Sequence, residues 1–127
     1  MSQDVPGQTE QDRAQEKQGK QISLKVQLDD KRIAESIYWH ATDAPDPEPQ
    51  PCDAFLLSIW DAANRATLRI DLWTKEMKVD QMNAFVLQTL MTMADTFQNA
   101  TNNQAQADEI RAFTQDLATR LQLPAEE

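Results

Sequence analysis

Residues 55–82, FLLSIWDAANRATLRIDLWTKEMKVDQM, decide how this chain is read. They spell a strand, a tight return, a second strand and the beginning of the longest helix. Phe55, Leu57 and Ile59 fall on one side of the first strand, and Leu68, Ile70 and Leu72 match them across a hairpin. Strand residues alternate faces with a period of two, so the two triplets can share one buried side. The register that pairs them directly sets Asp61 opposite Ala66 and leaves Ala62, Ala63, Asn64 and Arg65 as the loop, a common hairpin length. No glycine is present there to supply a positive φ, and Asn64 is the best substitute. The other face carries Leu56, Ser58, Trp60, Thr67, Arg69, Asp71 and Trp73. That mixture is too apolar for a solvated face and too polar for a core. It reads as a half-buried contact surface.

Toward the N-terminus, Glu35 to Thr42 reads as a strand with Ile37, Trp39 and Ala41 on one face and Tyr38 and His40 on the other. Gln21 to Leu28 is another, its Ile22, Leu24, Val26 and Leu28 alternating with Ser23, Lys25 and Gln27, and Asp29-Asp30-Lys31-Arg32 makes the turn between them. Between residues 43 and 53 runs DAPDPEPQPCD, with prolines at 45, 47, 49 and 51. Proline fixes φ and lacks an amide donor, so residues 45–51 read as an extended surface loop of polyproline II character. Nothing aromatic or basic punctuates it, which favours a solvated connector over a docking peptide. Residues 1–20 are rich in Gln, Glu and Lys with almost no apolar anchor. Burial cannot offset their ordering entropy, and a disordered tail is expected.

Toward the C-terminus a helix begins near Val79-Asp80, with Asp80 placed to act as its N-cap. Val79, Met82, Val86, Leu90, Met93 and Phe97 form its apolar stripe, widened by Phe85, Leu87, Met91 and Ala94. The break falls at TNNQ, residues 101–104, where Asn102 can end one helix and Asn103 can cap the next. The last helix shows Ala107, Ile110, Phe113, Leu117 and Leu121 at helical spacing, Pro124 stops it, and 125–127 form a short tail. The order is β-β-β-β-α-α within one domain over residues 21–124. Strands followed by helices without alternation imply an α+β fold, a four-stranded antiparallel sheet with two helices packed on one face. The order of elements is that of the SecB-type secretion chaperone, an analogy of topology alone.

Composition removes several functional classes. The 127 residues suit one domain. Both glycines, Gly7 and Gly19, precede the first strand, so no Gly-rich phosphate loop is present. A net charge of −9 with scattered Lys and Arg argues against nucleic acid and anionic membranes. One cysteine, Cys52, and one histidine, His40, leave no internal disulfide and no Cys/His zinc site, and no cofactor is expected. The first twenty residues carry no signal-peptide core, no window suits a membrane span, and Ser2 rather than glycine follows Met1. A cytoplasmic protein is the simplest expectation.

Catalytic readings are thin. His40 could act as a base with Asp43 or Asp61 as orienter, but a lone strand histidine is more often a satisfied surface residue. Asp61 and Asp71 are explained by turn solvation and by pairing with Arg69. Cys52 has no cationic neighbour in sequence to activate it. The tryptophans weigh differently. Trp39 shares parity with Ile37 and reads as core, whereas Trp60 and Trp73 lie with Leu56, Arg69 and Asp71 on the second hairpin face. Tryptophan suits association surfaces because it joins a large apolar area to a polar N–H. Leu56, Trp60, Arg69, Asp71 and Trp73 are therefore the candidate partner or self-association residues. The methionines Met77, Met82, Met91 and Met93 read as core filling first and as an adaptable groove second.

The strings SLKVQLDD, RIAESIYWHATD, FLLSIWD, TLRIDLWTKEMKVDQM and MADTFQNAT resemble the gliding-motility GldC family of Bacteroidetes over roughly Ile22 to Leu123. The resemblance implies a non-enzymatic accessory protein of the gliding machinery, which is linked to type IX secretion and has the GldB lipoprotein as a companion. It implies protein partners, and a dimer or tetramer fits it. No catalytic residue transfers. Trp60, Asp61, Arg69, Asp71, Trp73 and Lys75 match the family text without revealing whether they serve fold or partner.

Overall fold

A computed structural model describes residues 19–122. Of the expected 1–20 tail, residues 1–18 lie outside the described residues, as do the 125–127 tail and the stop at Pro124. The chain divides into two compact units, one ending at Glu76 and one beginning at Met77.

The first unit holds five strands: β1 (Ile22–Leu28), β2 (Ala34–Ala41), β3 (Gln50–Cys52), β4 (Ala54–Asp61) and β5 (Ala66–Trp73). They form a three-stranded sheet in the order β1-β2-β3 and a two-stranded sheet β4-β5. The expected single four-stranded sheet is thus corrected to three strands plus two. The additional strand comes from the end of the Pro-rich segment, where Pro51 lies opposite Tyr38. β3 pairs with β2 alone, and proline is tolerated on such an edge because its missing N–H costs no ladder bond. The bend at Asp53 then hands pairing over from β2 to β5. Two backbone hydrogen bonds fix this junction, from Thr74 N to Asp53 O (2.8 Å) and from Lys75 N to Ala34 O (3.2 Å).

β1 and β2 pair with Ile22, Leu24 and Val26 opposite Ala41, Trp39 and Ile37, the faces expected from alternation. Glu35 is an extra residue at a bulge, so Ala34 returns to the side of Ile37. Both are buried, Ile37 at 1% exposure. Thr74 is buried beside the junction, and its hydroxyl has no hydrogen-bond partner among the described residues. Asp29 shapes the β1–β2 turn: its Oδ1 accepts from the Lys31 and Ile33 amides, and its Oδ2 lies 3.2 Å from Lys75 Nζ.

The β4–β5 register runs without a shift from Ala54↔Trp73 to Asp61↔Ala66, as alternation requires. Two expectations fail here. Arg65, not Asn64, takes the positive φ, at 51°. Asn64 is held instead by Asp61, whose carboxylate accepts from the Ala63 and Asn64 amides and the Asn64 side chain. The aliphatic triplets do share one face, but its outer half is open: Ile59, Leu68 and Ile70 are each about half exposed.

The second unit is an αα-hairpin of α1 (Val79–Thr101) and α2 (Gln104–Leu121). Asp80 sits inside the first turn; the N-cap is Lys78, whose amide donates to the Gln81 side chain. Asn102 ends α1 in the left-handed region, φ 58°. Asn103 caps α2 by accepting from the Gln106 amide at 3.1 Å. The buried contact is built from Leu87 and Ala94 of α1 and from Ala107, Thr114 and Ala118 of α2. Small side chains let the helices approach, and the Thr114 hydroxyl donates to Ile110 O, so its burial leaves nothing unpaired. Arg111 of α2 reaches Asp95 (2.7 Å) and Gln98 (2.8 Å) on α1. Of the large members of the expected stripes Leu87 is fully buried, whereas Met93, Phe113 and Leu121 are exposed rather than core.

Candidate functional site

The β4–β5 register places Ala54, Leu56, Ser58 and Trp60 opposite Trp73, Asp71, Arg69 and Thr67. All five candidate residues, Leu56, Trp60, Arg69, Asp71 and Trp73, therefore share one face of the hairpin. Trp60 is 60% and Trp73 55% exposed. A tryptophan offers about 150–250 Å² of surface, so each leaves roughly 100 Å² of indole uncovered. Between them the Arg69 guanidinium lies 3.1 Å from Asp71 Oδ1. The face thus has an aromatic group toward each end and a charge pair at its centre.

The opposite face, Phe55, Leu57 and Ile59 against Leu72, Ile70 and Leu68, is wholly apolar. Alternation predicts a core face, yet only Phe55, Leu57 and Leu72 are half-buried, while Ile59, Leu68 and Ile70 are about half exposed. Alternation identifies which residues share a side, not whether anything covers it. An isolated two-stranded hairpin is at best marginally stable in water. One with apolar side chains open on both faces fits a contact element better than a core element.

The remaining candidates fall elsewhere. His40 lies on the face of β2 opposite Ile37. With Tyr38, Trp39, Ser23, Lys25, Pro47 and Pro49 it lines a hollow of about 320 Å³, where the Pro-rich segment folds over the sheet. Neither Asp43 nor Asp61 lines that hollow with it. Asp61 is occupied by its turn, and hydrogen bonds from the Asn64 side chain and amide hold its carboxyl below the usual value. The Cys52 thiol is half-buried and pushed up by that burial, the reverse of what a nucleophile needs. Asp29 is lowered mainly by the Ile33 amide and secondarily by Lys75, and Lys75 is raised by Asp29. That pair clasps the β1–β2 turn to the end of β5, so Lys75 has a role in the fold. Its partner is 46 residues away, a distance at which no local pattern could reveal it. On the helices, Leu90, Met93, Phe97, Gln106, Glu109, Ile110 and Phe113 line an open groove of about 480 Å³.

Among the described residues no group of three His, Cys, Asp or Glu side chains could hold a metal ion. No described helix is long and apolar enough to cross a membrane.

A family model for gliding motility-associated GldC-like proteins matches residues 34–123. The chain belongs to the GldC-like family. The match takes in β2 through α2, including the whole hairpin and the Lys75 clasp residue. No curated protein and no solved structure matches the chain. GldC-like membership associates the chain with gliding motility. The residues through which the chain acts are argued from the geometry above.

Proposed function

We propose that this GldC-like chain is a non-enzymatic cytoplasmic adaptor of the gliding-motility machinery, itself linked to type IX secretion. It grips a protein partner through the Leu56, Trp60, Arg69, Asp71 and Trp73 face of the hairpin. One observation carries the reading: two tryptophans, each more than half exposed, flank an Arg–Asp pair on one face of the strand pair. Exposed aromatic anchors beside a guanidinium are the side chains that dominate protein–protein binding energy. Both strands are regular and closed by a tight, hydrogen-bonded turn, so the anchors are held ready with little ordering cost.

The test is capture of partners by the tagged full chain from its native cells, read by mass spectrometry, with the GldB lipoprotein the first candidate to look for. Recovery of one or two motility components is expected. Trp60→Asp or Trp73→Asp should abolish it while far-UV circular dichroism and the melting temperature stay unchanged. Retention of the same partner by both variants overturns the assignment of the face.

The open apolar inner face, Ile59, Leu68 and Ile70, favours one second reading, a SecB-like chaperone that holds unfolded exported chains. That reading expects a broad set of clients. It also expects binding to survive changes at the tryptophans and to fail when Ile59, Leu68 and Ile70 are made polar.

A further inference from the structure

Among the described residues β5 pairs with β4 along one edge and with no strand along the other. The bond from Thr74 N to Asp53 O continues the β4–β5 ladder in the same register. Ala66, Leu68, Ile70 and Leu72 therefore turn their N–H and C=O groups toward β4, and Thr67, Arg69, Asp71 and Trp73 turn theirs outward. Seven of the eight β5 residues are exposed. Free edges are normally blunted by proline, charged side chains (lysine above all), a bulge or brevity, and the two charges of β5, Arg69 and Asp71, pair with each other. The sequence ATLRIDLW has no proline or lysine, and the ladder has no register shift.

We propose that this edge pairs with the same edge of a second copy, antiparallel, with the two-fold axis at Ile70. The register follows from self-complementarity. Antiparallel self-pairing keeps like faces together only when the axis passes through a residue rather than between two. Two such registers use most of the strand. Centring on Arg69 sets two guanidiniums directly opposite each other. Centring on Ile70 sets Arg69 opposite Asp71 of the second copy twice over, Leu68 opposite Leu72 twice, and Thr67 opposite Trp73 twice. In this register the outward-turned groups of Arg69 meet those of Asp71, so the ladder bonds close as well. The Ile70 pair occupies a non-hydrogen-bonded position.

Charge supports the same edge. The full chain carries −9, but residues 54–73 hold two acids, Asp61 and Asp71, and two arginines, Arg65 and Arg69. The hairpin is therefore neutral, and the repulsion between two acidic chains lies elsewhere. Each Arg69 already sits 3.1 Å from its own Asp71, so the pairing gathers two arginines and two aspartates into one cluster. The product is a four-stranded sheet, past the three strands a free-standing sheet needs, joined by an isologous contact. It also aligns Trp60 and Thr67 of one copy with Trp73 of the other, which completes the aromatic face of the proposed adaptor site. The pairing rests on that reading only in taking the hairpin as surface.

The decisive experiment is mutual charge reversal in the full chain, followed by sedimentation and native mass spectrometry. Wild type is expected to be a dimer. Arg69→Asp sets acid against acid and Asp71→Arg base against base, so each variant alone should associate at least about tenfold more weakly. Mixed together they restore both pairs and should form a heterodimer. As a geometric check in a Cys52→Ser background, Ile70→Cys should form a disulfide-linked dimer on oxidation. Opposed Cα atoms at that position lie about 4.5 Å apart, inside disulfide reach. Arg69→Cys should not cross-link. A monomeric wild type at about 100 μM, mixed variants that stay apart, or cross-linking by Arg69→Cys in place of Ile70→Cys each overturn the pairing. Partner capture by a chain found to be monomeric would sink the pairing and leave the adaptor reading standing. A dimer that captures nothing would do the reverse.

Discussion

The three-stranded sheet and the β4–β5 hairpin are written in the same alternating pattern, yet they end in different environments. In the first, alternation delivers Ile37 to a site 1% exposed. In the second, equally regular alternation leaves Ile70 51% exposed. The difference lies in what the chain does next to each strand. At β2, the Glu35 bulge, the Thr74 crossing and the Asp29–Lys75 clasp bring other segments over the start of the strand. In the hairpin, Phe55, Leu57 and Leu72 near the Asp53–Thr74 base are half-buried, while Ile59, Leu68 and Ile70 farther out are about half exposed. Alternation therefore states an orientation, and cover has to come from elsewhere.

The largest effect that can break this comparison is a truncation at each centre. Ile37→Ala removes a fully buried branched side chain and should cost about 2–5 kcal/mol in urea denaturation. Ile70→Ala should cost no more than about 1 kcal/mol at concentrations where the chain is monomeric, because half of its surface is already in water. Equal losses would mean that the hairpin face is core and that both proposals built on its exposure fail.

A smaller effect separates the two turns in acid. Asp29 and Asp61 both anchor a turn by accepting backbone amides, and both carboxyls are held below their usual value. Asp29 has Lys75 in addition. A lowered folded-state value means stabilisation present in full above the unfolded value, about 4, and lost as pH falls through the folded one. Asp29→Asn and Asp61→Asn should each flatten the decline in stability below about pH 4 and leave little pH dependence of their own near pH 7. Only the Asp29 contribution should weaken when Lys75→Met removes the distant charge. An acid limb unchanged in both variants would show that other carboxylates govern it.

The same contrast explains what could be read in advance. The hairpin register was legible because six apolar side chains, matched in pairs, admit one alignment without a slip. The helix break was legible because Asn102 and Asn103 have local chemistry suited to ending one helix and beginning another. β3 was hidden because prolines at 49 and 51 argue against a strand, and only its position at an edge lifts that objection. The Asp80 cap failed locally, since the Gln81 side chain satisfies the Lys78 amide and starts the helix earlier. Met93 and Phe113 were assigned to the core because they lie on a helical stripe. The helices do meet through Leu87, Ala94 and Ala107 of the expected stripes, but also through Thr114 and Ala118, which a hydrophobic pattern weights less than the larger side chains beside them. Of the proposed site, residue identities and shared face were legible. The open inner face and the Asp29–Lys75 clasp were not, because each depends on distant segments.

The smallest expected effect asks whether the turns know which strands they join. Neither turn contains glycine, and each places an arginine in the left-handed region: Arg32 at φ 64° and Arg65 at φ 51°. For a residue with a Cβ that conformation costs about 1–2 kcal/mol. Glycine removes the cost but adds about 0.5–1 kcal/mol of chain entropy to the unfolded state. Arg32→Gly and Arg65→Gly should therefore each stabilise the chain by about 0.5–1 kcal/mol, read as a shift in the denaturation midpoint with an unchanged slope. Two equal gains would place the strain in the turns themselves, independent of whether the adjoining sheet is covered. A gain at Arg32 with none at Arg65 would mean that the hairpin loop relaxes without cost. The ordered, outward β4–β5 arm would then owe its shape to what it binds more than to its own turn.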